Sequence, residues 1–206
     1  TVLFVSHNMA ALMSLCTRGV VLENGKSVFK GSAEESVDYY LENKTNKNSV
    51  KLPIRINNFE IQDFKILDSK NNATDKLMLG EKCNILMTVK NKSDISKKYT
   101  IRYQVIDKYE NILFTLNTYH KNQMIDVEPD SIVTFNCYIG KLNLSPNQYI
   151  LSVKIVEVKL KEQIFQDDEF LNFEIEKNDF FGTGKLPNTE NIGFYLQEHE
   201  WEICYN

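Results

Sequence analysis

His7, His120 and His199 are the only histidines in the chain, and they are too dispersed to suggest a zinc set or a nucleophile–base pair. Asp167-Asp168-Glu169 places three carboxylates in a row. Calcium takes about six or more oxygens from well-spaced positions, so three consecutive acids fit a solvated strand end better. Glycoside hydrolysis needs two carboxylates facing across a cleft, and the sequence displays no such pair. Gly25-Lys26-Ser27 imitates the tail of a phosphate-binding loop, but position 20 is Val, Gly19 is one residue out of register, and the tripeptide lies in a hairpin rather than at a helix start. Cys16, Cys83, Cys137 and Cys204 form no CxxC pair, and three of them sit in apolar or alternating segments. Buried, reduced thiols fit that pattern better than a metal or disulfide framework.

The elements that must position any site follow from periodicity. Thr1 to Val5 is a continuous apolar run, as in a strand buried on both faces of a parallel sheet. Ser6-His7-Asn8 then turns into a helix with Met9, Leu12, Met13 and Cys16 on one face. Asn24-Gly25 between apolar stretches predicts a tight hairpin. Ser32 with Glu35 three positions on predicts a capping box at the start of a helix carrying Val37, Tyr40 and Leu41. Residues 42–49 hold no apolar side chain and read as a linker, with a domain boundary near 48.

From Val50 the period becomes 2. Cys83 to Val89, Tyr99 to Val105, Val133 to Ile139 and Tyr149 to Ile155 each alternate apolar residues with mostly polar ones, the mark of antiparallel sheets with one wet face. Turn clusters at 68–72, 91–94, 107–111 and 145–147 separate them, and 54–67, 112–118 and 165–175 are further strand candidates. Seven or eight strands predict a mainly β fold: an immunoglobulin-like or jelly-roll antiparallel β-sandwich over 50–206.

Composition sets the outer limits. At 206 residues, 42% hydrophobic and 25% charged, the chain is a globular protein of one large domain or a domain plus a smaller element. With 24 basic against 28 acidic residues the net charge of −4 draws in neither nucleic acid nor an anionic membrane. No apolar run approaches the ~18 to 20 residues of a membrane span, and no signal peptide opens the chain, so a cytosolic protein is expected.

The order of motifs in residues 1–41 resembles the C-terminal end of an ABC-transporter ATPase domain: Val5-Ser6-His7-Asn8 between strand and helix, Val21-Leu22-Glu23-Asn24-Gly25, then Gly31-Ser32 with Glu34-Glu35. The resemblance implies that His7 is the switch histidine that contacts the γ-phosphate of ATP, with ATP and Mg belonging to a longer parent. The sequence holds no GxxxxGK[ST] loop, no Walker-B strand and no LSGGQ-like signature, so the expectation is a truncated ATPase tail with no cofactor and no ATP turnover of its own.

An ATPase tail, a polar linker and a β-sandwich, in that order, resemble the Wzt-type ATPase subunits of bacterial polysaccharide (O-antigen-like, lipopolysaccharide) ABC exporters. The landmarks in the second half are Leu79-Gly80-Glu81, Ile112-Leu113-Phe114, Asn117-Thr118, Leu144-Ser145-Pro146-Asn147-Gln148-Tyr149 and Phe181-Gly182-Thr183-Gly184. Asn147 stands where the family tends to have Gly, a departure that Asn tolerates at positive φ. The resemblance implies a non-catalytic, carbohydrate-binding sandwich that reads an undecaprenyl-linked polysaccharide and couples it to export. It implies a transmembrane permease partner, a peripheral location on the cytoplasmic face of the inner membrane, and a homodimer whose Gly193 to Cys204 strand is exchanged, anchored by Phe194, Leu196 and Trp201. An ordinary edge strand packed on its own sandwich is the other reading of that segment, and a pure dimerisation or assembly module without a sugar site is the other reading of the domain.

A sugar site needs amide, carboxylate or guanidinium hydrogen-bonders beside an exposed ring. In an immunoglobulin-like ordering the strands at 99–107, 149–158 and 165–175 share a sheet whose outward parity displays Arg102, Gln104, Ser152, Lys154, Asn172 and Glu174. Tyr119-His120 with Asn117 is a rival patch, and the opposite sheet offers Asn84, Thr88, Asn136 and Tyr138. All three remain open at this level.

Overall fold

The computed structural model describes residues 2–6, 9–42, 49–188 and 192–202. His7, Cys204 and most of the expected linker lie outside the described residues. Helix α1 (Met9–Leu15), strands β1 (Arg18–Glu23) and β2 (Lys26–Ser32) and helix α2 (Ala33–Glu42) follow in order. β1 and β2 form the expected hairpin, turning through Asn24 at φ 49° and Gly25 at φ 78°, the left-handed pair that such a turn requires. The capping box is made: Ser32 Oγ accepts from the Glu35 amide at 3.1 Å and Glu35 Oε2 accepts from the Ser32 amide at 2.8 Å. Met9, Ala33 and Val37 are buried where these elements meet.

The expected opening strand is not formed. Val2, Leu3 and Val5 are over 90% exposed, and β1 and β2 bond only to each other. A strand buried on both faces needs hydrogen-bonded neighbours and covering layers, and the described residues supply neither. Val2 to Val5 instead line an open apolar groove of about 540 Å³ with Leu12, Val20 and Val37.

The sandwich contains β3 (Ile54–Ile56), β4 (Phe59–Leu67), β5 (Lys76–Met78), β6 (Cys83–Asn91), β7 (Lys97–Ile106), β8 (Ile112–Asn117), β9 (Ile125–Val127), β10 (Ile132–Ile139), β11 (Asn147–Glu157) and β12 (Glu162–Glu176). One sheet has the order β10-β6-β4-β3. The other runs β5-β12-β11-β7-β8, with β9 also on β7. All pairs are antiparallel except β5 with β12. Alternate residues of both sheets meet in one core in which Ile61, Met87, Leu151, Val153 and Ile155 are fully buried, each worth roughly 1.5–3 kcal/mol of apolar burial. Phe59 against Tyr99 and Phe64 against Phe170, both 4.8 Å between ring centroids, clamp one sheet to the other. Among the described residues, none before Val50 joins this core. Cys83 and Cys137 face into it, and burial, then the neighbouring Cys137, pushes the Cys83 thiol up to about 12.

Two of the four expected turns are built the same way. Asp68 Oδ1 accepts the amides of Lys70 and Asn72, and Asp107 Oδ1 accepts those of Tyr109 and Asn111. In each the Asn side chain donates to the other carboxylate oxygen, and the residue before it, Asn71 or Glu110, has φ near +65°. A short acceptor at the first position that bonds backbone amides two and four residues on is what makes D-x-x-x-N a turn. The second turn lies near α2, where Lys108 Nζ is 3.7 Å from Asp38.

Candidate functional site

Strands β12, β11, β7 and β8 are neighbours, so their outward residues form rows across the wet face of the larger sheet. One row runs Gln166, Lys154, Arg102, Asn117 in register. The next holds Ser152, Gln104 and Thr115, with Gln104 donating to Thr115 Oγ1 at 3.2 Å. The expected sharing of one sheet by Arg102, Gln104 and Lys154 therefore holds, and all three are half-buried. A third row, Asn172, Ile150, Ile106, Ile112, is largely apolar and separates the polar rows from Glu174, which is engaged with Lys76 at 3.5 Å.

Ser152 differs from the expectation. It sits at outward parity yet is 1% exposed, its hydroxyl donating to Asp168 Oδ1 at 3.1 Å. The reason is a bulge: between Leu151 and Val153 the ladder passes over two extra residues of β12, and Asp168 is brought against Ser152. Asp168 is further gripped by Gln166 Nε2 at 2.9 and 3.0 Å. Ser152 thus acts as a support for Asp168 rather than as a displayed group. Gln166 and Asp168 share the even-numbered parity of Asn172 and Glu174, a signal that reading along β12 would have picked up.

Tyr119 stands at the margin of this face. It opens a 3-10 turn, Tyr119–Lys121, directly after β8, and its amide is held at 2.9 Å by Asn117 Oδ1, the residue in register with Arg102. The Tyr119 ring is 62% exposed, edge-on to His120 at 6.2 Å. The rival patch of Asn117, Tyr119 and His120 and the face carrying Arg102 are therefore one continuous surface. In chemical terms it offers amide, guanidinium and ammonium donors, a carboxylate and a ring.

The wet face of the smaller sheet carries Asn84, Thr88, Asn136 and Tyr138, with Tyr138 opposite Asn84 and 76% exposed. Thr88 there is engaged with Thr134 at 2.9 Å. The charged groups of that face are paired: Lys65 with Asp63, Lys90 with Asp130, and both Arg55 and Lys92 with Glu60. The Lys92 ammonium, then the Gln62 amide, with Arg55 adding to them, hold the Glu60 carboxyl down at about 2.

The segment after residue 192 packs on its own chain. Ser145 donates to the Phe194 carbonyl at 3.0 Å, Leu196 donates to the Asn143 carbonyl at 2.8 Å, and Tyr195 Oη donates to the Leu113 carbonyl at 2.6 Å. Leu196 is buried, whereas Phe194 and Trp201 are exposed. Among the described residues no group of three or more His, Cys, Asp or Glu could hold a metal ion, and no helix is long and apolar enough to cross a membrane.

Residues 57–186, well over half of the chain, match the Wzt C-terminal domain family, and the chain belongs to that family. The crystal structure of the C-terminal domain of Wzt superposes with a TM-score of 0.54 at 13% identity, covering 72% of this chain and 91% of that one. At that identity the likeness concerns the fold. A β-glucuronidase of Bacteroides uniformis aligns over 55% of this chain and 13% of its own at 14% identity, with a TM-score of 0.41. A Niemann-Pick type C2 protein of the Japanese carpenter ant aligns over 62% of this chain and all of its own at 11% identity, with a TM-score of 0.44. No curated protein matches the chain by sequence.

Proposed function

We propose that this Wzt C-terminal domain is the glycan-reading part of the ATPase subunit of an ABC polysaccharide exporter. Its ligand would be the saccharide of an undecaprenyl-linked polymer, met at the cytoplasmic face of the inner membrane. Its partners would be a transmembrane permease and a second copy of the subunit. ATP and Mg would belong to the rest of the parent subunit, with His7 as its switch histidine, and residues 1–41 would be the end of that ATPase domain, joined through 42–49 to the sandwich at 50–206.

The observation that carries the reading is the row Gln166, Lys154, Arg102, Asn117 with Tyr119 at its end. Sugar hydroxyls lie in flat arrays, and a row of amide and cationic donors on a sheet can meet several at once while a ring covers a C–H face. Each hydrogen bond nets only about 1 kcal/mol against water, so one site is weak and a dimer gains by avidity. The test is calorimetric titration of the full chain with lipid-free polysaccharide from the source strain. Lys154→Ala and Tyr119→Ala should each weaken binding about fivefold while leaving the thermal midpoint in place. Unchanged affinity in both removes this face.

The rival, a dimerisation or assembly module without a sugar site, draws support from β10. Its eight residues, Ile132–Ile139, contain no charge and no proline, and its outer edge pairs with nothing among the described residues. Exposed edges usually carry such protection. A stable dimer that ignores every glycan offered would favour this second reading.

A further inference from the structure

The strands of the sandwich carry eight Lys and Arg residues: Arg55, Lys65, Lys76, Lys90, Lys97, Lys98, Arg102 and Lys154. Six of them sit in ion pairs, with Glu60, Asp63, Glu174 and Glu176, Asp130, Glu157 and Asp126 respectively. Arg102 and Lys154 are the two that do not, among the described residues. They are also directly opposite one another across β7 and β11. That register brings their Cβ atoms to about 4.5–5.5 Å, where like charges repel. A fold that neutralises every other strand cation has left two facing each other.

The carboxylate of Asp168, on the same face, is already committed. Asp168 Oδ1 accepts from Ser152 Oγ and Gln166 Nε2, and Oδ2 accepts from Gln166 Nε2. It lies within ion-pair distance of neither cation. Among the described residues Arg102 has no acceptor of its own: its Nε is closed off from water without a partner, which leaves the terminal nitrogens as the part of the guanidinium that a ligand can meet. The terminal guanidinium nitrogens beside an ammonium in no ion pair are the donor set that a carboxylate or phosphate oxygen pair satisfies, with charge-assisted bonds from both side chains. Neutral hydroxyls would leave both charges uncompensated.

We propose that Arg102 and Lys154 together bind an anionic substituent of the saccharide, a carboxylate or a phosphate, so that the polymer this sandwich reads is acidic at the residue it places there. The inference rests on the glycan reading above and adds the class of sugar. Asp168 sets the direction, repelling the anion from the β12 side and leaving the space over β7 and β8, next to Tyr119.

The experiment titrates the full chain with the source-strain polysaccharide in four forms: untreated, carboxyl-reduced through carbodiimide and borohydride, dephosphorylated with hydrofluoric acid, and treated both ways. One of the single treatments should weaken binding about tenfold or more, and which one does so identifies carboxylate or phosphate. R102Q and K154Q should each weaken binding of the untreated polymer by a clearly larger factor than that of the doubly treated one. D168N should tighten the untreated polymer, a gain that loss of a merely structural contact would not produce. Added salt should weaken only the anionic forms. Binding of all four forms within about twofold of one another overturns the anionic site and leaves glycan recognition standing. If no form binds, glycan recognition falls and the anionic site with it. K154Q, at a half-buried position reaching solvent, guards against R102Q failing to fold.

Discussion

Tyr149→Phe removes one hydroxyl from the junction between the core and the C-terminal segment. Tyr149 is 2% exposed, and its Oη donates to the Ser145 carbonyl at 2.6 Å. Ser145 is buried as well, and its amide donates to the Phe194 carbonyl, so the residue that Tyr149 fixes through its carbonyl also holds Phe194 on the sandwich through its N–H. Phe would keep the ring, its packing on Phe173 at 5.8 Å and its volume. The loss is therefore confined to the hydroxyl's two contacts at Ser145, with the Oγ at 3.3 Å and with the buried carbonyl, which is left without its donor at a cost of about 1–3 kcal/mol. For a protein of this size that lowers the thermal midpoint by about 2–4 °C for each kcal/mol. Urea unfolding followed by far-ultraviolet circular dichroism reports the sandwich. Fluorescence of the sole tryptophan, Trp201, 84% exposed beside His199, reports the segment. Both signals should shift, and a double-mutant cycle with Leu196→Ala should show coupling of at least about 0.5 kcal/mol. A loss below about 0.5 kcal/mol, or strict additivity with Leu196→Ala, would refute the idea that Ser145 joins core to tail.

Glu60 supplies an acid-sensitive contact. Its folded pKa of about 2 lies below its ordinary 4.5 because Lys92, Gln62 and Arg55 favour the carboxylate. The stabilisation is thus complete above pH 4.5 and is lost as pH falls toward 2. Urea midpoints measured between those values should fall less steeply in Glu60→Gln than in the parent. Cys83 should resist iodoacetamide in the folded chain at mildly alkaline pH and react promptly once urea unfolds it, because its thiol is held at about 12 by burial. Alkylation monitored by peptide mass checks this, and rapid reaction in the folded state would contradict the packing.

Strand positions were legible wherever alternation ran unbroken. Cys83 to Val89 and Tyr99 to Val105 became β6 and β7 with every second residue buried. Parity also delivered Arg102, Gln104 and Lys154 to one face. It failed at Ser152 because the bulge that buries it belongs to the partner strand, and nothing in Leu151-Ser152-Val153 announces an insertion seventeen residues later. The three-residue strands β5 and β9 are too short to show a period. Val2 to Val5 depart from the expectation for a different reason: an apolar run says that burial would be favourable, whereas a strand forms only where another backbone completes its hydrogen bonds. The turn at Asp107 was located from composition, but its likeness to that at Asp68 lies in which oxygen bonds which amide.

The placement of Arg102 and Lys154 bears on specificity more than on affinity. β7 and β11 are each hydrogen-bonded on both sides, to β8 and β12 as well as to each other, so the Cα positions of the pair are fixed by ladders on every side. The backbone therefore needs no ordering on binding, and the cost that remains is that of fixing the two long side chains. The fixed register keeps the two side chains opposite one another, an arrangement in which like charges across a strand pair are unfavourable. An anion relieves that repulsion and a neutral hydroxyl does not, which makes the strain itself a discriminator between acidic and neutral sugars. Tyr119, on a turn at the end of β8, has no comparable restraint on its ring and suits the complementary task of covering sugar C–H faces of varied shape. On the proposed reading, a pair of cations at a fixed register stands beside an adaptable ring, with Asn117 joining the two: its backbone is in register with Arg102, and its side chain holds the Tyr119 amide.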